Sequence, residues 1–143
     1  MLAQQNLKPN LILVDDHLIF RQGLKDMITI ENIASVTSEA SNGVEFLNLL
    51  PNQRPDLVLM DIDMPLMNGL EATRRALTLM PDLKIMAFTM FGNKEYNDKI
   101  RELRAKGFIS KTTDIEELEL AIATVLSGQN YFQNTVSADS ESK

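Results

Sequence analysis

The chain has no cysteine, one histidine, no run of basic residues and no apolar stretch approaching bilayer length. Each absence removes a class of function. Without cysteine there is no disulfide, no thiolate nucleophile and no cysteine-ligated zinc. With His17 as the sole histidine, a multi-histidine metal site is excluded as well. Gripping nucleic acid through its phosphates takes clustered Lys and Arg, whereas the formal net charge here is -6. A basic partner, or a basic domain outside this chain, stays compatible with that charge. The segment Met1 to Asn10 is polar and lacks the apolar core of a secretory signal, and a membrane helix needs about 20 apolar residues. The expectation is a soluble, cytoplasmic protein with no membrane partner.

At 143 residues, with 24% charged and 44% hydrophobic residues, the composition is that of one globular domain rather than a disordered chain. Such a length buries roughly two-thirds of the unfolded surface, enough for a sizeable core. Five short apolar runs recur: Leu11 to Val14, Ile33 to Thr37, Leu57 to Met60, Lys84 to Phe88, and Phe108 to Ile109. Stretches of helical spacing separate them. Phe20, Leu24, Met27 and Ile28 share a face of the first, which leaves Arg21 wet and is weakened locally by Gly23. Asn42 with Glu45, and Asn68 with Glu71, are capping boxes before the second helix (Gly43 to Leu50) and the third, which runs to Leu79. The fourth covers Lys94 to Arg104. The fifth starts at Thr113 and Glu116, carries the stripe Ile115, Leu118, Ile122, Val125 and Leu126, and stops at Gly128. Strand and helix thus alternate five times, which predicts an α/β, doubly wound (βα)5 parallel sheet covered on both faces. The closing Ser137 to Lys143 is polar and is expected to be disordered.

Two adjacent carboxylates, Asp15 and Asp16, follow the first apolar run, and Asp61 follows the third. If those runs are neighbouring parallel strands, the three acids meet at the carboxyl edge of the sheet, where open α/β sheets hold ligands. Clustered carboxylates repel unless a cation or protons offset them, and oxygen-ligated Mg²⁺ suits that need. A single acid capping a helix would leave the Asp15-Asp16 pair unexplained.

Four segments together resemble the response-regulator receiver domain, the phosphorylatable switch of two-component signalling, over about residues 10–130. They are Ile12 to His17, Met60 to Gly69, Phe88 to Met90, and Gly107 to Lys111, each at the carboxyl end of a predicted strand. The resemblance implies a flavodoxin-like, three-layer α/β/α domain with strand order 2-1-3-4-5, preceded by a flexible segment 1–9 and followed by a polar tail or linker start, 131–143. It implies that Asp61 is the phosphoacceptor, and that Asp15, Asp16, Asp61 and the backbone carbonyl of Asp63 hold Mg²⁺. Lys111 would contact a phosphoryl oxygen, Thr89 would swing toward the phosphate, and Phe108 would be the switch aromatic that follows it. The implied partners are a sensor histidine kinase and a receiver homodimer. The pattern from Asp15 to Leu24, and the stretch Gly128 to Phe132, resemble receivers joined to a carboxyl-terminal helix-turn-helix domain. DNA would then be met only through a part absent from this chain, which would be a receiver piece of a transcription regulator or a stand-alone receiver.

The chain also departs from that pattern. Thr112 stands where many members have a proline, leaving the Lys111-Thr112 bond cis or trans. Arg104 stands where a glycine often ends the fourth helix, and a left-handed backbone there would be mildly strained. Asp63 adds an acid beside the pocket, and Met90 is bulkier than the usual alanine. The departures at Thr112, Asp63 and Arg104 motivate a second reading, a phosphorylation-independent interaction module. A third, a phosphohydrolase using aspartate and Mg²⁺, ranks last because no cap domain or further acid-base group is present.

Overall fold

The structure, a computed structural model, describes residues 8–90 and 94–133. Residues 1–7 of the expected flexible start, 1–9, and the whole of the expected disordered end, Ser137 to Lys143, lie outside the described residues. Among the described residues, six strands and five helices alternate: β1 (Asn10–Val14), α1 (Leu18–Ile30), β2 (Ser35–Ala40), α2 (Gly43–Leu49), β3 (Leu57–Met60), α3 (Gly69–Leu79), β4 (Ile85–Thr89), α4 (Lys94–Glu102), β5 (Gly107–Ser110), α5 (Ile115–Leu126) and β6 (Tyr131–Phe132). A short 3-10 turn, Leu50–Asn52, follows α2. All pairings are parallel and the order is β2-β1-β3-β4-β5-β6. The expected order 2-1-3-4-5 is therefore present, extended by one strand.

The continuous apolar runs follow from the layering. Alternate residues of a strand face opposite sides of the sheet, and here both sides are covered. Leu11, Leu13, Leu57, Leu59, Phe88 and Ile109 meet Ile28 of α1 and Leu118, Ile122 and Val125 of α5. Ile12, Val14, Val58, Met60 and Ile85 meet Phe46 of α2 and Ala72 and Ala76 of α3. A third group, Ile62, Ala87, Ile100, Ala105 and Phe108, lies beneath α4. Truncating the wholly buried Phe46 to alanine is the type of change that costs about 3–5 kcal/mol.

Three local expectations shift. β2 lies at Ser35–Ala40 rather than Ile33–Thr37, because an edge strand alternates and carries Ser, Thr and Glu on its open side. Ile33 and Ala34 instead pack into the core from the turn before it. The cap of α5 is Asp114, whose side chain accepts from the Glu117 amide, one residue beyond the Thr113 and Glu116 pairing. α4 ends at Glu102, and Arg104 then takes φ 72, the left-handed backbone foreseen where a glycine would be easier. The caps at Asn42 and Asn68 form as the spacing predicts, each side chain accepting from the amide three residues on.

Candidate functional site

Strand register assembles the site. Val14 pairs with Met60, so the residues that follow, Asp15 and Asp61, leave neighbouring strands at one edge. The Asp61 amide donates to the Val14 carbonyl at 2.9 Å, and the Asp15 amide to the Ala40 carbonyl at 3.0 Å. On the other side of β3, Thr89 pairs with Ser110, and the Lys111 amide donates to the Thr89 carbonyl at 2.9 Å. Close backbone approach completes the edge at Gly69. A Cβ there would lie 2.0 Å from the Asp61 carbonyl oxygen, so only glycine lets α3 begin so near the acid.

Lys111 Nζ lies 2.6 Å from Asp15 Oδ2 and 3.3 Å from Asp61 Oδ2, and all three side chains are almost wholly buried. The ammonium also lies 4.6 Å from the centre of the Phe20 ring. Asp15 Oδ1 accepts from the His17 amide at 2.8 Å. Asp16 is half-buried, and its Oδ1 accepts no hydrogen bond among the described residues; neither do Asp61 Oδ2 and Thr89 Oγ1. The 3.3 Å approach of Lys111 to Asp61 is thus an ion pair without hydrogen-bond alignment. One ligand atom each from Asp15, Asp16, His17 and Asp61 fits within 4.8 Å of the others.

Burial, reinforced by the neighbouring Asp15 carboxylate, pushes the Asp61 carboxyl up from 3.8 to about 6, although Lys111 pulls the other way. Three carboxylates against one ammonium leave an excess of negative charge in a poorly hydrated place. That excess, with two carboxylate oxygens lacking hydrogen-bond donors, fits a hard divalent cation with oxygen ligands. The donor set thus suits the Mg²⁺ expected from the sequence.

The remaining candidates divide. The side chain of Asp63 is exposed and accepts from Tyr96 Oη of α4 at 3.4 Å, apart from the acid cluster. Phe108 is 1% exposed and packs inward against Ile62, Ala87 and Ile100. The Lys111-Thr112 bond is trans. Asp16 is not a helix cap: His17 occupies that position in α1 without a side-chain capping bond. The expectation that Arg21 stays wet is corrected. Its side chain is 11% exposed, pairs with Glu39 of β2 and donates to the Asp15 carbonyl. Glu39 lies 18 residues further along the chain, so helical periodicity could not reveal that pairing. Gln133 was also missed, and it ties β5, α4 and α5 together through Ser110, Asn97 and Glu117.

A parallel sheet with this acid edge and lysine defines a class. The response regulator receiver domain family matches residues 11–123, and the chain belongs to it. Its acidic cluster and the Lys111 ion pairs match the phosphoacceptor site of that family, so the domain is a regulatory phosphoacceptor rather than a conventional enzyme. Among curated relatives, the transcriptional regulatory protein DegU of Brevibacillus brevis is 31% identical over 129 residues, 90% of this chain and 55% of that protein. The response regulator GacA of Pseudomonas aeruginosa is 35% identical over 120 residues, covering 84% and 56%. The chain therefore spans about half the length of the curated relatives it matches. Among solved structures, a two-component response regulator of the LuxR family from Aurantimonas sp. SI85-9A1 superposes with TM-score 0.83 at 32% identity, covering 94% of each chain. No described helix is long and apolar enough to cross a membrane.

Proposed function

We propose that Asp61 accepts a phosphoryl group from the phosphohistidine of a sensor kinase, and that this switches the output of a longer transcription regulator. The observation that carries the reading is the buried Asp61 carboxylate, which shares the Lys111 ammonium with Asp15 and has an oxygen that accepts no hydrogen bond among the described residues. One Asp61 oxygen forms the new bond to phosphorus as the donor's nitrogen-phosphorus bond breaks. Asp15, Asp16, Asp61 and the Asp63 backbone carbonyl would hold Mg²⁺, which when bound offsets the charge on the nucleophile and the transferred group. Holding Asp61 ionised is the first task, since a carboxyl near 6 is partly protonated at neutral pH. Lys111 then neutralises a phosphoryl oxygen, because the modified acid carries about -1.5 to -2 charges.

Thr89 offers the matching response. Its hydroxyl is buried and has no hydrogen-bond partner among the described residues, so a nearby phosphoryl oxygen would draw it in. Phe108, one strand over, shifts with the space that Thr89 leaves, and the face of α4 and β5 changes with it. A receiver homodimer and DNA, the latter through a part outside this chain, are the proposed downstream partners. Incubation with acetyl phosphate and Mg²⁺, read by intact mass, should add one hydroxylamine-labile phosphoryl group to the wild type and none to Asp61→Asn. Equal labelling of both, or none of the wild type by several donors, overturns the assignment.

One observation favours a phosphorylation-independent interaction module instead. Phe108 already lies inward, with Gln133 hydrogen-bonded to its carbonyl. Partner affinity equal for phosphorylated and unmodified protein would establish that second reading.

A further inference from the structure

α1 reaches toward the acidic edge through one side chain. Arg21 Nε donates to Glu39 Oε1 of β2 at 2.8 Å, while Nη1 donates to the backbone carbonyl of Asp15. Lys25 Nζ, one turn further along α1, holds the other Glu39 oxygen at 3.1 Å. The Arg21 side chain is 11% exposed and that of Glu39 26%. A tie between α1 and β2 needs only the Glu39 bonds. The bond to the Asp15 carbonyl adds nothing to that tie, and it engages the peptide unit joining Asp15 to Asp16.

We propose that Arg21, oriented by Glu39, is a positioning residue for the acidic pocket: it fixes the Asp15-Asp16 peptide plane and thereby the direction of the Asp16 carboxylate. The inference rests on the reading of that pocket as a divalent-cation site. The planar fork of arginine suits the task, because two of its nitrogens address two acceptors in a fixed relative geometry. Lysine offers a point charge on a flexible stem and cannot. Glu39 neutralises the guanidinium, so the arginine contributes geometry while adding little competing positive charge beside the cation. Among the described residues the Asp15 carbonyl has no second anchor of this kind: the Asp15 amide is held by Ala40 and its carboxylate by the His17 amide and Lys111. Orientation of ligands by outer partners typically carries 10–100-fold in metal affinity.

The test uses direct Mg²⁺ titration by calorimetry or amide NMR, beside phosphorylation rates across Mg²⁺ concentration. Arg21→Met keeps an apolar stem and removes the fork; Arg21→Lys keeps charge and stem. Both should weaken Mg²⁺ binding by about tenfold and raise the Mg²⁺ needed for half-maximal phosphorylation by a similar factor. At saturating Mg²⁺ the rate should return to within about twofold of wild type, because the nucleophile and Lys111 are untouched. Glu39→Gln added to Arg21→Met should weaken Mg²⁺ no further, since the two side chains act as a unit. Unchanged Mg²⁺ affinity in a folded Arg21→Lys overturns the positioning role and leaves the phosphoacceptor reading intact. Wild-type protein that binds no Mg²⁺, or binds it as well after Asp16→Asn, overturns both. A loss of rate at saturating Mg²⁺ with normal affinity would also overturn it.

Discussion

Two regions at the same edge of the sheet handle buried polarity in opposite ways. Around Asp61, two carboxylate oxygens and the Thr89 hydroxyl accept no hydrogen bond among the described residues, and burial raises the acid to about 6. Beside β5, Gln133 uses all of its polar groups. Its amide donates to the Phe108 carbonyl at 2.9 Å, and its carbonyl accepts from Asn97 Nδ2 of α4 at 3.2 Å. Its side-chain oxygen accepts from the Ser110 amide at 2.8 Å. The side-chain nitrogen donates to Thr113 Oγ1 and to Glu117 Oε2 at 2.8 and 2.9 Å. Tyr131 Oη donates to the same Glu117 oxygen at 2.6 Å, and these bonds hold that carboxyl below its usual range. A satisfied network specifies structure; an unsatisfied one stores charge that something else must meet. The Gln133 network ties neighbouring elements together; the chemistry lies at the acid edge.

The sharpest way to break the contrast is to remove the Lys111 ammonium from the acid edge. Lys111→Met leaves Asp15 and Asp61 buried without their cation, a change of the kind that costs about 3–5 kcal/mol. Urea denaturation at neutral pH in chelator should register a loss of about 3 kcal/mol, and Mg²⁺ should restore much of it. A loss below about 1 kcal/mol would show that Lys111 is not what holds the two acids.

Asp61→Asn should act in the opposite direction. The folded carboxyl titrates near 6 against an ordinary 3.8. Below about pH 4 the group is protonated in both states and its contribution to stability is fully present. That contribution is lost as pH rises through 6, when the folded state must ionise a buried acid beside Asp15. Asparagine does not ionise, so the substitution should be neutral in the acid range and stabilising by about 1–3 kcal/mol above pH 7 without Mg²⁺. Added Mg²⁺ should narrow or reverse the gain, because the carboxylate is then the better ligand. A pH-independent difference between the two proteins would refute the electrostatic origin.

How far each region could be read from sequence follows the same division. Asp15, Asp16, Asp61, Thr89 and Lys111 each stand at the end of a buried strand, and buried strands announce themselves as unbroken apolar runs. The residues that hold the edge in place were harder to see. Arg21 follows Phe20 in an amphipathic helix, and its partner Glu39 sits on an edge strand whose polar alternation also misplaced β2. Tyr131 and Phe132 read as the start of a tail because a two-residue strand has no periodicity to display. Its place is set by Gly107, where an added Cβ would lie 2.7 Å from the Tyr131 carbonyl oxygen, and by bonds to residues 20 to 36 positions away. Arg101, stacked 4.0 Å from the Phe132 ring centre, is a contact of the same long-range kind.

The smallest expected effect tests the satisfied side. Gln133→Ala removes the side-chain bonds to Ser110, Thr113 and Glu117 while leaving the backbone pairing with Phe108 available. The newly unpartnered Ser110 amide lies at the end of β5, where solvent can partly replace the lost oxygen. The expected loss is therefore about 1–2 kcal/mol rather than the larger figure for a sealed interior. No buried charge is uncovered, so the loss should be the same at pH 5 and pH 8 and unaffected by Mg²⁺, in contrast to both substitutions at the acid edge. Chemical denaturation under those four conditions distinguishes the cases. A Gln133→Ala deficit that grows with pH, or that Mg²⁺ repairs, would mean that the clamp and the acid pocket are one electrostatic unit and that the contrast drawn between them is false.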